Sequence, residues 1–172
     1  DMLPYEEEIL KKSGGGDTYQ VARIKESYGY YPQYSRNMLQ LNQGKTPSGL
    51  PLFSEIGYLA GIEATDWSWS GLLADLDNDG FRDFYIANGI FRRPNDLDYI
   101  KYISGSNVQQ SLQQGVNPEN LKLVQRMPEL KIPNAVFRNN ADLTFTDLSG
   151  DWGLGDESFS NGAAYSDLDN DG

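Results

Sequence analysis

Short apolar runs alternate with segments rich in Gly, Asp and Asn through much of the chain, which is the pattern of short β-strands joined by turns. The predicted strands are 38–42, 53–56, 70–74, 84–87 and 136–138. The strands 70–74 and 84–87 flank an aspartate-rich segment, which predicts a hairpin with that segment at its tip. The pattern therefore predicts a mainly β fold.

Apolar residues at helical spacing and start or stop signals predict helices outside these strands. The predicted helices are 3–27, 96–103 and 118–127. The glycines at 14–16 should break the first of them, and Asp17 with Gln20 predicts a capping box for its second part. The helical segments precede the similar stretches that begin at Asn37 and Asn134, so we expect them at the same point of two repeated units.

An internal repeat is centred on an aspartate-rich hexapeptide. Asp-Leu-Asp-Asn-Asp-Gly occupies 75–80 and recurs without change at 167–172, which is 92 positions later. At the same offset, 53–56 aligns with 145–148. Upstream the offset becomes 97, from Asn37 to Asn134, because the first copy carries a short extra loop. The sequence therefore predicts one supersecondary unit present twice.

The repeated hexapeptide has the composition of a calcium-binding loop. Alternating carboxylates turn their oxygens toward one concavity, and the glycine permits the sharp bend that follows. Such hard oxygen ligands suit calcium better than zinc or copper. The predicted ligands are the side chains of Asp75, Asp77, Asp79 and Asp83, the backbone carbonyl of Phe81, and in the second copy Asp167, Asp169 and Asp171.

The loop has two other interpretations. An EF-hand requires Glu at the twelfth position and a following helix, whereas here that position is Ile86 in a predicted strand. The loop could also be a tight turn that binds nothing, because Asp, Asn and Gly favour turns by themselves. The repetition of the hexapeptide favours a metal site, and we expect the ion to rigidify the loop rather than to act in catalysis.

The composition excludes several functional classes. A formal net charge of −11 argues against nucleic-acid binding, which depends on Lys and Arg. The absence of His and Cys excludes imidazole acid–base chemistry, thiol nucleophiles and disulfides in this stretch. No apolar run reaches the length of about 18 residues that a transmembrane helix needs. We expect the sequence to be part of a longer protein.

Exposed aromatic residues are the candidates for ligand binding. Trp69 has no aromatic counterpart in the second copy, where Asn161 takes its place, so it is the better surface candidate among the tryptophans. Tyr30 and Tyr31 belong to a Tyr-rich connector of the kind found at binding surfaces. The alternative is that these aromatic residues pack between elements, where large rings contribute much of the burial.

Several motifs together resemble the FG-GAP/VCBS repeat family of β-propellers. They are the two Asp loops and the segments 137–147 and 160–164. The segments 1–4, 36–42, 66–69 and 97–101 are similar to the bacterial group related to cartilage acidic protein, whose members often carry an ASPIC/UnbV domain. The resemblance implies part of a β-propeller of the seven-bladed type, with helical insertions between blade strands and calcium in its hairpin loops. It also implies export to the periplasm, the cell surface or the medium.

The predicted organisation follows from the repeat and the resemblance. It comprises a helical insertion and connector (1–36), a first propeller repeat (37–94), a second helical insertion (95–133) and a second repeat (134–172). The other blades of the same chain would then be its immediate partners.

The function expected from the resemblance is non-enzymatic binding or adhesion, with an extracellular glycan or protein as ligand. The alternative is the scaffold of a secreted carbohydrate-active enzyme, for which Glu55 and Asp66 are the candidate acid–base carboxylates. A purely structural role, in which the module positions another domain, is the third possibility.

Overall fold

The computed structural model describes residues 2–14, 16–113 and 118–167. It forms two compact units. The first, called the β unit, comprises Asp1–Tyr5, Arg36–Ile90 and Lys131–Gly172. The second, called the helical unit, comprises Glu6–Ser35 and Phe91–Leu130.

All strands among the described residues belong to the β unit. They are β1 (Met2–Leu3), β2 (Gln40–Lys45), β3 (Pro51–Glu55), β4 (Asp66–Ala74), β5 (Asp83–Asn88), β6 (Ile132–Pro133), β7 (Ala135–Asn139), β8 (Phe145–Asp147) and β9 (Glu157–Ser158). The helices are α1 (Glu7–Lys12), α2 (Tyr19–Ser27), α3 (Gly57–Ala60), α4 (Leu97–Ile103), α5 (Ser106–Gln113) and α6 (Pro118–Gln125). Of these, α3 is in the β unit and the others are in the helical unit.

The principal sheet is antiparallel and has the strand order β1-β4-β5-β7-β8. It curls into a half-barrel, and the pairs β2–β3 and β6–β9 stand beside it as separate ladders. The prediction of a mainly β fold is confirmed. The pairing of β5 with β7 is the contact that joins strands from the two copies of the sequence repeat.

The two copies form their first hairpins in the same register. The pairs Gln40–Glu55, Leu41–Ser54 and Asn42–Phe53 correspond, under the sequence alignment, to Phe137–Asp147, Arg138–Thr146 and Asn139–Phe145. Because a slip of one residue would turn every side chain to the opposite face, this agreement means that the same face of each hairpin is presented to its neighbours.

The turn that follows each hairpin is also the same in both copies. Ile56 N–H donates to the Leu39 carbonyl at 2.8 Å, and the equivalent Leu148 N–H donates to the Val136 carbonyl at 2.9 Å. Each turn ends on a left-handed glycine, Gly61 with φ 74° and Gly153 with φ 75°, a conformation that glycine adopts without steric cost.

The core of the β unit lies between the turn after β3 and the middle of the principal sheet. Its buried side chains are Ala60, Ile62, Ile86, Ala135 and Phe137, with Leu39, Phe84 and Phe145 packed against them. The rings of Phe84 and Phe145 meet edge to face with centroids 5.5 Å apart, an arrangement that aromatic pairs favour.

The N-terminal segment differs from its prediction. Leu3, the first residue of the predicted helix 3–27, instead forms β1 with Met2, and the two residues pair with Asp66 and Trp67 of β4. Two causes act together. A residue before proline, here Leu3, is restricted to extended conformations. In addition, the edge of β4 is available for this segment to pair with. Helix α1 then begins after Pro4, at Glu7.

Helix α2 is capped by a different residue from the one predicted. Its N-cap is Thr18, whose side chain accepts a hydrogen bond from Val21 N–H at 3.4 Å. Asp17, the predicted cap, instead forms an ion pair with Lys25 at 2.7 Å.

Helix α5 was not predicted at all, whereas α4 and α6 were. Among the described residues, no helix combines the length and apolar character that crossing a membrane requires.

Candidate metal centre

The first Asp loop is held at the tip of the β4–β5 hairpin. Strand β4 ends at Ala74, which pairs directly with Asp83, the first residue of β5. Between them the chain turns through Asn78 at φ 60° and Gly80 at φ 90°. Both conformations are left-handed, which Asn and Gly tolerate better than other residues.

Three of the predicted ligands come together in this loop. One carboxylate oxygen from each of Asp75, Asp77 and Asp83 lies within 4.8 Å of the others. They are positions 1, 3 and 9 of the loop, so residues distant along the loop converge because the hairpin closes at Asp83. Asp75 is half-buried, Asp77 is exposed and Asp83 is buried.

Backbone N–H groups of the loop donate to the first two carboxylates. The Asp75 carboxylate accepts from Asp79 N–H at 3.1 Å and from Gly80 N–H at 2.9 Å. The Asp77 carboxylate also lies 3.3 Å from the Asp79 N–H. These hydrogen bonds offset part of the repulsion among the carboxylates and fix their orientation.

Asp83 has a second role, because its fully buried carboxylate joins three segments. One oxygen accepts from Leu76 N–H at 2.9 Å, and the other accepts from Asn139 N–H at 2.9 Å. The Asn139 side chain in turn donates to the Arg82 carbonyl at 2.9 Å. Asp83 therefore ties the loop and β5 to the end of β7, whether or not an ion is bound.

The donor set fits a hard divalent cation. All three converging groups are carboxylates, and each oxygen that accepts one N–H keeps a further lone pair for a metal. Calcium takes six to eight oxygen ligands in flexible geometry and accepts water among them. Asp75, Asp77 and Asp83 are the residues that would hold it, and the bound ion would supply positive charge that links the start and end of the loop.

The remaining predicted ligands are not part of this group. Asp79 uses one carboxylate oxygen to accept Phe81 N–H at 2.8 Å, and ligation by Asp79 or by the Phe81 carbonyl stays a prediction. In the second copy, Asp167 is described and exposed. Asp169 and Asp171 lie outside the described residues.

Trp69 is exposed and held in place. Its side chain is 53% exposed, and its indole N–H donates to the Gly89 carbonyl. The β4–β5 ladder shifts register between Ser68 and Ser70, so Trp69 lies at a bulge, a feature that re-aims a side chain. The ring centroid of Trp67 lies 5.9 Å from that of Trp69.

The predicted tyrosine candidates lie in the helical unit, in the irregular segment after α2. Tyr30 is 65% exposed and Tyr31 is 91% exposed. Their rings are accessible to a ligand, although exposure alone assigns them no partner.

An ion pair that sequence reasoning missed lies in the β unit. Arg36 donates to the Glu55 carboxylate at 2.6 Å, and both side chains are largely shielded. This hydrogen bond, together with one from Gly57 N–H at 2.7 Å, lowers the pKa of Glu55 to about 2. The two residues are 19 positions apart, and no local pattern marks them as partners.

A shallow groove of about 330 Å³ in the β unit borders the end of the Asp loop. Its walls include Leu73, Phe81, Arg82, Phe84, Asn139 and Leu143. The groove is mainly apolar, and the loop residues Phe81 and Arg82 form one side of it.

Comparison with known proteins finds no protein-family model, no curated protein and no solved structure that matches this chain.

Proposed function

We propose that this chain is a calcium-binding part of a β-propeller of the FG-GAP/VCBS type, from an exported protein that binds ligands without catalysing a reaction. The observation that carries the proposal is the convergence of Asp75, Asp77 and Asp83 at a hairpin tip. Positions 1, 3 and 9 of a glycine-containing acidic loop supply hard oxygen donors, as a calcium site requires.

The ion would act on the structure rather than on a substrate. Its ligands come from the start of the loop and from the first residue of β5, so binding would restrain the loop at both ends. Asp83 also accepts the Asn139 N–H, and the restraint would therefore extend to β7. A rigid hairpin tip holds the neighbouring surface in one conformation, which lowers the entropic cost of binding a ligand.

The propeller assignment is supported by the likeness of the two copies. Both form a hairpin in the same register followed by the same turn, as repeated units do when each packs on the next. The pairing of β5 with β7 joins consecutive copies in one sheet. Further blades of the same kind, from the remainder of a longer chain, would cover the other faces of these strands.

The proposed ligand is an extracellular glycan or protein. Trp69 supports this part of the proposal, because an exposed indole whose N–H is already bonded presents its face in a fixed orientation. Tyr30 and Tyr31 are the second candidate contact. We place the protein in the periplasm, at the cell surface or in the extracellular medium, where millimolar calcium suits sites with Kd of about 10⁻⁴–10⁻³ M.

The non-enzymatic assignment is supported by the state of one of the two candidate carboxylates. Glu55, with its pKa lowered to about 2 by Arg36, is ionised near neutral pH and has no proton to give as a general acid. The chain has no His or Cys that could take that role.

Thermal unfolding in calcium and in chelator tests the proposal. An ion that binds only the folded state stabilises it by about 2.7 kcal/mol when its concentration is 100 times the Kd. We expect the melting temperature to rise with added calcium and to rise less with magnesium, which demands stricter octahedral geometry. Equal melting curves in calcium and in chelator would contradict the proposal.

A further inference from the structure

Asn139, at the end of β7, holds the end of the first Asp loop from the second copy of the repeat. Its backbone N–H donates to one carboxylate oxygen of Asp83 at 2.9 Å, and its side-chain nitrogen donates to the Arg82 carbonyl at 2.9 Å. One residue thus holds two consecutive residues of the first copy by separate hydrogen bonds. Because Asp83 is fully buried, these bonds help to fix the direction of its carboxylate.

A turn within the second copy sets the position of the Asn139 side chain. Its oxygen accepts the Ala141 N–H at 2.9 Å, and Ala141 is left-handed at φ 61°. An asparagine that bonds the backbone two residues on forms an Asx turn, which is a local structure. The amide oxygen is therefore engaged within the second copy, and the amide nitrogen is directed at the Arg82 carbonyl.

The first copy contains the same turn. Asn42 occupies the position of Asn139 in the repeat, at the offset of 97. Its side-chain oxygen accepts the Gly44 N–H at 2.8 Å, and Gly44 is left-handed at φ 88°. Among the described residues, no hydrogen bond joins Asn42 to the loop 75–83. Asn42 therefore reproduces the turn of Asn139 without its contact to the first Asp loop.

We propose, on the basis of the calcium binding proposed above, that Asn139 is a positioning residue for the site formed by Asp75, Asp77 and Asp83. Asn139 would act without touching the ion. It orients the Asp83 carboxylate and holds the backbone of the residue before it. Removing a group that orients a metal ligand by hydrogen bonds typically lowers metal affinity by about 10- to 100-fold.

The same contact makes calcium binding depend on the junction between the two copies. An ion that holds the Asp83 carboxylate also keeps it in place to accept the Asn139 N–H. By linkage, the contact raises the affinity for the ion by the factor by which the ion stabilises the contact. The first Asp loop would therefore bind calcium tightly only when the second copy is in place against it.

Calorimetric titration of three whole chains with calcium tests this inference. Asn139→Ser keeps a side-chain oxygen that can accept the Ala141 N–H, lacks the nitrogen that donates to the Arg82 carbonyl, and leaves the net charge unchanged. Asn42→Ser makes the same change in the first copy. We expect the Kd for calcium to rise by about tenfold or more in Asn139→Ser and to keep the wild-type value in Asn42→Ser.

Hydrogen exchange of the wild type, followed residue by residue by NMR, separates this local link from general stabilisation and needs no variant to fold. Exchange that requires release of the ion slows by about tenfold when calcium is at ten times its Kd. We expect this slowing at the Asn139 N–H. We do not expect it at the Leu148 N–H, which donates to the Val136 carbonyl within the second copy.

Three results would overturn the inference. Calcium binding by the wild type with an unchanged Kd in Asn139→Ser would remove the role of Asn139 and leave the calcium site intact. Equal slowing of exchange at Asn139 and Leu148 would show general stabilisation only. A wild-type chain that binds no calcium would overturn the proposed function and, with it, the role of Asn139.

Discussion

The buried carboxylate of Asp83 accepts a hydrogen bond from the backbone N–H of Asn139 at 2.9 Å. This bond joins the last predicted ligand of the first Asp loop to a strand of the second sequence repeat. The other oxygen of the same carboxylate accepts Leu76 N–H. Asp83 is therefore both a candidate metal ligand and a structural link between strands, whereas the exposed Asp77 accepts one hydrogen bond, from Asp79 N–H within its own loop.

This difference predicts that two alanine variants differ in stability when chelator removes the metal. Asp83→Ala leaves two backbone N–H groups without their acceptor and should lower the free energy of unfolding by about 2–4 kcal/mol. Asp77→Ala should change it by less than about 0.5 kcal/mol, because exposed substitutions rarely do more. Urea denaturation of both variants measures the difference. Equal losses would show that Asp83 does not link the strands as described.

Ala141 carries backbone strain that a glycine would relieve. It is exposed at φ 61° in the loop between β7 and β8. A left-handed backbone conformation costs a residue with a Cβ roughly 1–2 kcal/mol. Glycine also makes the unfolded chain more flexible, which offsets about 0.4–1 kcal/mol of the stability gained by removing the strain. Ala141→Gly should thus raise the free energy of unfolding by about 0–1.6 kcal/mol, the difference between these two terms.

Asn78→Gly is the matched control, because Asn78 has φ 60° but belongs to a residue type that tolerates this conformation. Its unfolding free energy should stay the same or fall slightly. If both variants gained stability equally, the assignment of strain to Ala141 would be wrong.

The Arg36–Glu55 ion pair predicts a loss of stability in acid. The pKa of Glu55 is about 2 in the folded protein and near 4.5 when unperturbed. Below about pH 4.5 the unfolded chain binds a proton that the folded one does not, so this contribution is complete above that pH and is lost as pH falls toward 2. Glu55→Gln should flatten that part of the stability–pH curve. A variant curve parallel to the wild type would contradict the prediction.

The sequence predicted the secondary-structure elements that are determined by residues close together along the chain. The strands around the Asp loop follow from apolar runs bounded by turn residues, and the repeated hairpin follows from the alignment of 53–56 with 145–148. The structure extends these strands by a few residues, as in β4, because pairing with a neighbour adds hydrogen bonds beyond the apolar run.

The sequence did not predict features that depend on distant contacts. The strand Met2–Leu3 exists because β4 offers it an edge, more than 60 positions away in the pairing of Met2 with Trp67. The role of Asp83 as a link likewise depends on Asn139, which no pattern near the loop reveals. Three of the predicted ligands converge. The Asp79 carboxylate is not among them and accepts a hydrogen bond from Phe81 N–H within the turn, so its ligation stays a prediction.

The exposed indole of Trp69 allows a test of glycan binding. If a sugar stacks on its indole, Trp69→Ala should weaken binding on a glycan array by about tenfold, as expected for the loss of one aromatic contact. Leu73→Ala is the matched control, because Leu73 is a similarly exposed apolar residue of the same strand at 49%. Equal binding by Trp69→Ala and wild type would remove Trp69 from the proposed site, and the absence of any glycan hit would favour a protein ligand.

Calorimetric titration of the whole chain with calcium tests the central claim most directly. Asp77→Ala is compared with Asp156→Ala, because Asp156 is an exposed aspartate outside the Asp loops. We predict saturable binding with Kd in the range of about 10⁻⁴–10⁻³ M for the wild type and for Asp156→Ala, and clearly weaker binding for Asp77→Ala. Absence of binding at several times that concentration, or equal binding by both variants, would contradict a calcium site at the first Asp loop.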